Sequence, residues 1–339
     1  MKHVVVIGSG FAGLSAASFM AKAGWKVTVL EKHDMPGGRA RQFSADGFVF
    51  DMGPSWYWMP DVFERYFSCL GKSLSSYYTL KRLDPSYRVY FSDGPMDVPA
   101  NYEELRRLFE QIEKGSADKL DEFIREAAYK YDVGINKLVH KPGRSVTEFL
   151  DMELAKGVFR LDVFTSMKKH IRKYVSDPRL IQLLEFPVLF LGALPGNIPA
   201  LYSLMNYADI KLGTWYPMGG MYKIVEGMYQ VALELGVEFR FNHEVTRIVL
   251  ENGSAKRVEA LHTGNGQTQF EADVVIGGAD YHFIEEKLLA PESRSYTEAY
   301  WDKRVMAPSC LLYYVGLNKK LPGITHHSLF FDVDFDRHG

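Results

Sequence analysis

The chain opens on a unit that leaves few folds available to it. Val4-Val5-Val6-Ile7-Gly8-Ser9-Gly10-Phe11-Ala12-Gly13-Leu14-Ser15-Ala16-Ala17 is a short run of branched apolar residues, a glycine turn and then a helical pattern. Such a run reads as a buried parallel strand, and the three glycines have separate tasks. Gly8 permits the tight turn, Gly10 lets backbone approach a pyrophosphate, and Gly13 with Ala17 lets the helix lie close on the sheet. The first N–H groups of that helix, with their partial positive charge, face the phosphates. Gly24 ends the helix, Val27-Thr28-Val29-Leu30 forms the next strand, and Glu31 stands where a carboxylate can accept from both ribose hydroxyls. A glycine triplet alone says little; strand, triplet, helix and acid in register indicate a dinucleotide site.

Glu31 would repel a ribose 2′-phosphate, which argues against NADP. Behind it comes Met35-Pro36-Gly37-Gly38-Arg39-Ala40. A second glycine pair so close to the acid fits backbone folded over the same pyrophosphate, with Arg39 beside it. Nicotinamide cofactors that leave at each turnover need no such clamp, whereas a tightly held flavin benefits from one. The competing reading is a plain surface turn at Gly37-Gly38.

With 339 residues, about two domains are expected. An apolar share of 47% supplies a large core, and the net charge of −2 predicts no general attraction to nucleic acid. Two cysteines, Cys69 and Cys310, form neither a disulfide framework nor a metal spacing, which suits a reducing cytoplasm. The first strand begins at once, leaving no room for a signal peptide. Between Glu185 and Asp209 the chain carries no charge, and this run has the length of a membrane span. Pro187, Gly192, Pro195, Gly196 and Pro199 cut it into pieces of one or two turns, so short buried helices are expected instead.

The layout is interrupted. A strand is expected near Tyr87–Phe91, then helices around Tyr102–Glu113 and Ala117–Lys137, and a helix start at the capping-box pattern Ser145-Val146-Thr147-Glu148. Helical texture continues to about Ala208. Trp215-Tyr216-Pro217-Met218-Gly219-Gly220-Met221 opens a helix to Leu235, and strands follow from Val237 to Phe270 with turns at Asn252-Gly253 and Gly264-Asn265-Gly266. Ala272-Asp273-Val274-Val275-Ile276-Gly277-Gly278-Ala279-Asp280 reads as another buried strand before a helix. Cys310–Leu317 and Ser328–Phe331 are strand-like. The dinucleotide domain is thus expected in two segments, 1–85 and 214–295. A largely helical insertion at 86–213 separates them, and the start of a second sheet lies at 296–339.

The strand-turn unit, Pro36-Gly37-Gly38-Arg39, Phe50-Asp51-Met52-Gly53-Pro54-Ser55, Tyr216-Pro217-Met218-Gly219-Gly220 and Ile276-Gly277-Gly278-Ala279-Asp280 together resemble the FAD-dependent phytoene desaturase family. Ser176-Asp177-Pro178-Arg179-Leu180, Leu189-Phe190-Leu191-Gly192-Ala193 and Pro199-Ala200-Leu201-Tyr202-Ser203 through Ala208 resemble its bacterial and fungal type. The resemblance implies an α/β fold: an FAD-binding Rossmann-type domain, glutathione-reductase-like, carrying an inserted helical substrate domain. It implies that Gly8, Gly10, Phe11, Ala12 and Gly13 cradle the FAD pyrophosphate and that Glu31, with Lys32 beside it, holds the adenosine end. Gly38 and Arg39 would clamp the diphosphate. Gly53, Pro54 and Ser55 would lie against the isoalloxazine ring, and Val245 would meet adenine through its backbone. Members of the family are longer, with a further glycine-rich segment over the flavin, so the sequence reads as a fragment or a prematurely terminated chain.

The implied activity is desaturation of a polyene hydrocarbon such as phytoene, with a hydride passing to flavin N5 and a proton leaving the adjacent carbon. A carotenoid isomerase, a desaturase of a later intermediate, or an inactive remnant are the alternatives. A hydrocarbon offers no carbonyl or hydroxyl to polarise, and no acid/base pair stands out, so no catalytic residue is assigned. Trp56, Tyr57 and Trp58 would either line an apolar tunnel or pack as core. Asp51 would brace the turn that follows it rather than act as a base. His326-His327 point to opposite strand faces and lack a third ligand, so no metal is expected. Lys168-Lys169-His170-Ile171-Arg172-Lys173 is either a solvated helix face or a contact for anionic lipid. The expected location is cytoplasmic, with peripheral attachment to the inner face of the cytoplasmic membrane as a further possibility.

Overall fold

The computed structural model describes residues 1–142, 145, 161–305 and 309–335. The helix expected to start at Ser145-Val146-Thr147-Glu148 lies outside them. Along the chain the elements begin β1 (His3–Ile7), α1 (Phe11–Lys22), β2 (Lys26–Leu30), β3 (Gln42–Ala45), β4 (Phe48–Asp51), α2 (Pro60–Cys69) and β5 (Leu80–Arg82). They continue through β6 (Tyr87–Phe91), β7 (Gly94–Val98), α3 (Tyr102–Ile112), α4 (Ser116–Val133), α5 (Met167–Ile171), α6 (Pro178–Glu185), α7 (Leu204–Tyr207) and β8 (Trp215–Pro217). The last are α8 (Tyr222–Glu234), β9 (Glu238–Arg240), β10 (His243–Glu251), β11 (Ser254–His262), β12 (Gly266–Glu271), β13 (Val274–Gly277), α9 (Tyr281–Phe283), α10 (Glu298–Trp301) and β14 (Ser328–Phe331).

These elements form two compact units, one of Met1–Lys81 with Tyr216–Val305 and one of Arg82–Trp215 with Met306–Gly339. In the first, four strands pair in the order β13-β1-β2-β9, all of them parallel. Val4, Val5 and Val6 are fully buried in β1 because both faces of a parallel sheet are covered. Burying each such side chain stabilises the unit by roughly 1.5–3 kcal/mol. One face packs with Ala17 and Ala232, and the other with Val245, Ile248 and Val258 of the antiparallel β10-β11-β12 sheet. Gly24, at φ +84°, follows the last turn of α1 as expected. β13 departs from expectation. It is an edge strand, with Val274 and Gly277 exposed and Val275 and Ile276 half-buried, because among the described residues only β1 pairs with it.

The second unit is chiefly helical. Asn101 caps α3 by accepting from the N–H groups of Glu103 and Glu104. Leu120, Phe123, Ile124 and Ala127 form the buried face of α4 at helical spacing. The uncharged run resolves into the end of α6, a tight helix at Phe186–Leu191, another at Ala200–Ser203, and α7. Among the described residues no helix is long and apolar enough to cross a membrane. β14, β6 and β7 make a three-stranded sheet, β14 parallel to β6. Residues 310–317, expected as a strand, are irregular and exposed, since no neighbouring backbone pairs with them among the described residues.

Candidate dinucleotide site

Three loops of the first unit converge at the carboxyl end of β1. Gly8 N–H donates to Leu30 carbonyl oxygen at 2.8 Å, and Gly278 N–H to that of Ile7 at 2.8 Å. The glycine turn is therefore held by both neighbouring strands. A Cβ at Gly13 would lie 1.9 Å from the Gly8 carbonyl oxygen, so only glycine lets α1 start this close to the strand it follows. Among the described residues no side chain caps α1, which begins after Gly10 with its first N–H groups uncapped.

The second glycine pair meets the first. Gly37 N–H donates to Ser9 carbonyl oxygen at 2.9 Å, and a Cβ at Gly38 would stand 3.2 Å from Gly10 Cα. Gly37-Gly38 is thus a docked loop rather than a free surface turn. A side chain at Gly38 would crowd the Gly10 backbone and one at Gly37 would press on the Val225, Arg41 and Tyr222 side chains, and both loops present bare backbone to a ligand. That arrangement, beside an uncapped helix N-terminus, fits a pyrophosphate.

Glu31 ends β2 and is 4% exposed. Its Oε2 accepts from Ser9 N–H at 2.8 Å and from Ser9 Oγ at 2.6 Å, and its Oε1 accepts from His33 N–H at 3.0 Å. A fixed, hydrogen-bonded carboxylate in this place suits a ribose. Burial, and next the Arg41 guanidinium, hold the His33 imidazole below its usual value. Lys32 and Arg39 have exposed side chains. Arg41, which the sequence did not single out, braces the loop by donating from Nε to Gly38 carbonyl oxygen at 2.8 Å.

Val245 is the third residue of β10 and pairs with Ala260; the first residue of the strand donates from His243 N–H to Glu31 carbonyl oxygen at 2.9 Å. The Val245 side chain is buried in the core, two residues beyond the bond to Glu31. Gly53 also belongs here: a Cβ on it would lie 2.5 Å from Arg39 carbonyl oxygen. Met52 N–H donates to Arg41 carbonyl oxygen at 2.7 Å, so the 51–53 strand end lies against the second glycine loop. Pro54 and Ser55 follow, exposed.

One expectation needs correction. Asp51 does not brace its own turn. Its carboxylate accepts from Met221 N–H at 2.8 Å and Tyr222 N–H at 3.1 Å, capping α8 from far away in sequence. Gly220 makes this possible, because a Cβ there would lie 3.1 Å from Asp51 Oδ2. The Tyr222 hydroxyl in turn donates to Pro36 carbonyl oxygen at 3.3 Å, and burial pushes its phenol up to about 12. Of the two readings for Tyr57, tunnel lining and core packing, the structure gives the second: it is a core residue at 1% exposure, and its hydroxyl pairs with that of Tyr78 at 2.9 Å.

Outside this site, Glu126, Asp162 and His170 of the second unit converge closely enough to ligate a metal. The place among them is taken by the buried Lys130 ammonium, 3.1 Å from Asp162, 3.4 Å from His170 Nε2 and 3.9 Å from Glu126.

Residues 11–302 match the family described as flavin containing amine oxidoreductase. A protein of Haloarcula japonica named carotenoid 3,4-desaturase is 38% identical over 99% of this chain and 68% of its own. A zeta-carotene-forming phytoene desaturase of Myxococcus xanthus is 32% identical over 98% of this chain and 64% of its own. The chain therefore spans about two thirds of the length of these relatives. Among solved structures, a putrescine oxidase bound to putrescine superposes with a TM-score of 0.57 at 18% identity, covering 86% of this chain and 60% of that one. An oxidoreductase of Methanosarcina mazei gives 0.54 at 21% identity, covering 81% and 58%. These structures share the fold.

Proposed function

From the premise that this chain belongs to the flavin-containing amine oxidoreductase family, we propose that it binds FAD and serves in the desaturation of a carotenoid polyene. A dinucleotide cradle in a flavin family calls for FAD. The observation that carries the cofactor assignment is the docking of Gly37-Gly38 on the Ser9-Gly10 turn, with buried Glu31 beside it. The substrate class is supported by relatives named as carotenoid and phytoene desaturases.

Bound FAD supplies the two-electron acceptor for a hydride from an allylic carbon, while a proton leaves the neighbouring carbon. The chain's own residues bind and orient. The bare backbone at Gly10 and Gly38 and the N-terminus of α1 receive the diphosphate, and Glu31 accepts from the ribose. Gly53, Pro54 and Ser55 carry the strand end proposed to meet the flavin ring. Work on a hydrocarbon asks for positioning and exclusion of water rather than for an acid/base pair.

A second reading concerns the substrate. Identity to the relative named carotenoid 3,4-desaturase, 38%, exceeds that to the relative named phytoene desaturase, 32%, which favours a later carotenoid over phytoene. Expression of the complete gene product in cells that accumulate phytoene, and in cells that accumulate a more unsaturated carotenoid, separates the two. Pigments absorbing at longer wavelength in either host support desaturation. A polyene profile unchanged in both hosts, with FAD bound to the purified protein, refutes it.

Peripheral attachment to the inner face of the cytoplasmic membrane belongs to the same proposal. α5 buries Met167, His170 and Ile171, while Lys169, Arg172 and Lys173 are exposed and Phe164, 87% exposed, precedes them. An exposed aromatic beside a group of cations suits anionic lipid. Co-sedimentation with anionic liposomes that weakens in high salt is expected, and indifference to lipid removes the reading.

A further inference from the structure

The hydrogen bonds already made by Glu31 limit how it can hold a ribose. An ionised carboxylate has about four acceptor sites, two on each oxygen. Both sites of Oε2 are taken by one residue, Ser9, through its N–H at 2.8 Å and its Oγ at 2.6 Å. On Oε1 one site receives His33 N–H at 3.0 Å. A single site is left, on Oε1, yet an adenosine ribose brings two hydroxyl donors.

We infer that Ser9 restricts Glu31 to one ribose hydroxyl, making the adenosine end of the cofactor recognised through a single hydroxyl rather than through the pair. The inference deepens the FAD reading and rests on it. Ser9 does not yield its place. It is fully buried, so a hydroxyl turned away from Glu31 would become an unpaired donor without water to receive it. Its N–H is fixed by the glycine turn, which both neighbouring strands hold. In exchange, Ser9 locks the carboxylate orientation and aims the open site of Oε1. Ser9 is thus a positioning residue that sets hydroxyl specificity.

The test compares affinities of the flavin-free protein for FAD and for its 2′-deoxyadenosine and 3′-deoxyadenosine analogues, read by quenching of flavin fluorescence. In the wild type, one analogue is expected to bind about tenfold or more weaker than FAD, as loss of a hydrogen bond to a charged group requires, and the other within about twofold. In Ser9→Ala, where a site on Oε2 opens, the second analogue is also expected to fall behind FAD by about tenfold. Equal losses for both analogues in the wild type, or no loss for either, overturn the inference while leaving the FAD reading intact. Failure of FAD itself to bind overturns both. The wild-type comparison decides the matter even if Ser9→Ala does not fold.

Discussion

At the residue scale, the first unit tolerates no side chain where two backbones touch. Gly13 is the extreme case, because the intruding atom would meet a main-chain oxygen at 1.9 Å rather than a side chain able to swing aside. Gly13→Ala is expected to destabilise the unit by about 3 kcal/mol or more, since relief requires moving α1 off β1. Thermal unfolding and flavin content measure this together; a variant with unchanged Tm and bound flavin refutes the packing argument. Gly53→Ala, 2.5 Å from Arg39 carbonyl oxygen, presses on a loop instead of a core helix. Weaker flavin affinity is expected, with a smaller fall in Tm than for Gly13→Ala; the opposite ranking would place Gly53 in the core and out of the site. Gly13 was legible because its spacing after a strand announces it, and Gly53 because the run Phe50–Ser55 resembles a family motif. Ser9 and Arg41 were not, because their bonds to Glu31 and to Gly38 depend on where loops come to rest.

At the element scale, local pattern sufficed wherever an element makes its own case. α1, β2, β6 and α3 follow from periodicity and capping residues close in sequence. What pattern missed is pairing between distant segments. Residues 310–317 have strand composition, but a strand needs a neighbour to take its backbone groups. Asp51 has the residue type of a brace, yet the helix it braces begins at Tyr222, and nothing around Asp51 in the chain says so. Asp51→Asn keeps the shape and leaves one of the two α8 N–H groups facing an amide donor. Lost capping and lost charge at a helix N-terminus predict destabilisation of about 1–2 kcal/mol. Urea unfolding tests this, and a midpoint identical to wild type would show that α8 does not depend on Asp51. Because Tyr222 also reaches Pro36, the variant should release flavin more readily than its stability loss alone explains.

At the scale of the whole molecule, acid and base act against each other inside the second unit. Burial, and next the Lys130 charge, push the His170 imidazole down to about 4, while burial pushes the Asp209 carboxyl up to about 6 despite its bonds from Tyr87 and Thr214. For His170 the unfolded chain binds the proton more readily. Its contribution is fully present above the ordinary value of 6.5 and is lost as pH falls toward 4. For Asp209 the folded chain holds the proton more readily. Its contribution is fully present below the ordinary 3.8 and is lost as pH rises through about 6. Between about 6 and 4 the two slopes oppose, so the pair blunts the acid response of the unit. His170→Phe removes one slope while filling a place already lined by Phe123 and Tyr174. Relative to wild type, the variant is expected to gain stability as pH falls from 6.5 to 4, by up to about 3 kcal/mol. Urea unfolding of both proteins across that range gives the difference directly. A difference that stays level with pH would mean that the His170 imidazole titrates in the folded chain as it does in the unfolded one, and that Lys130 and burial leave it unaffected.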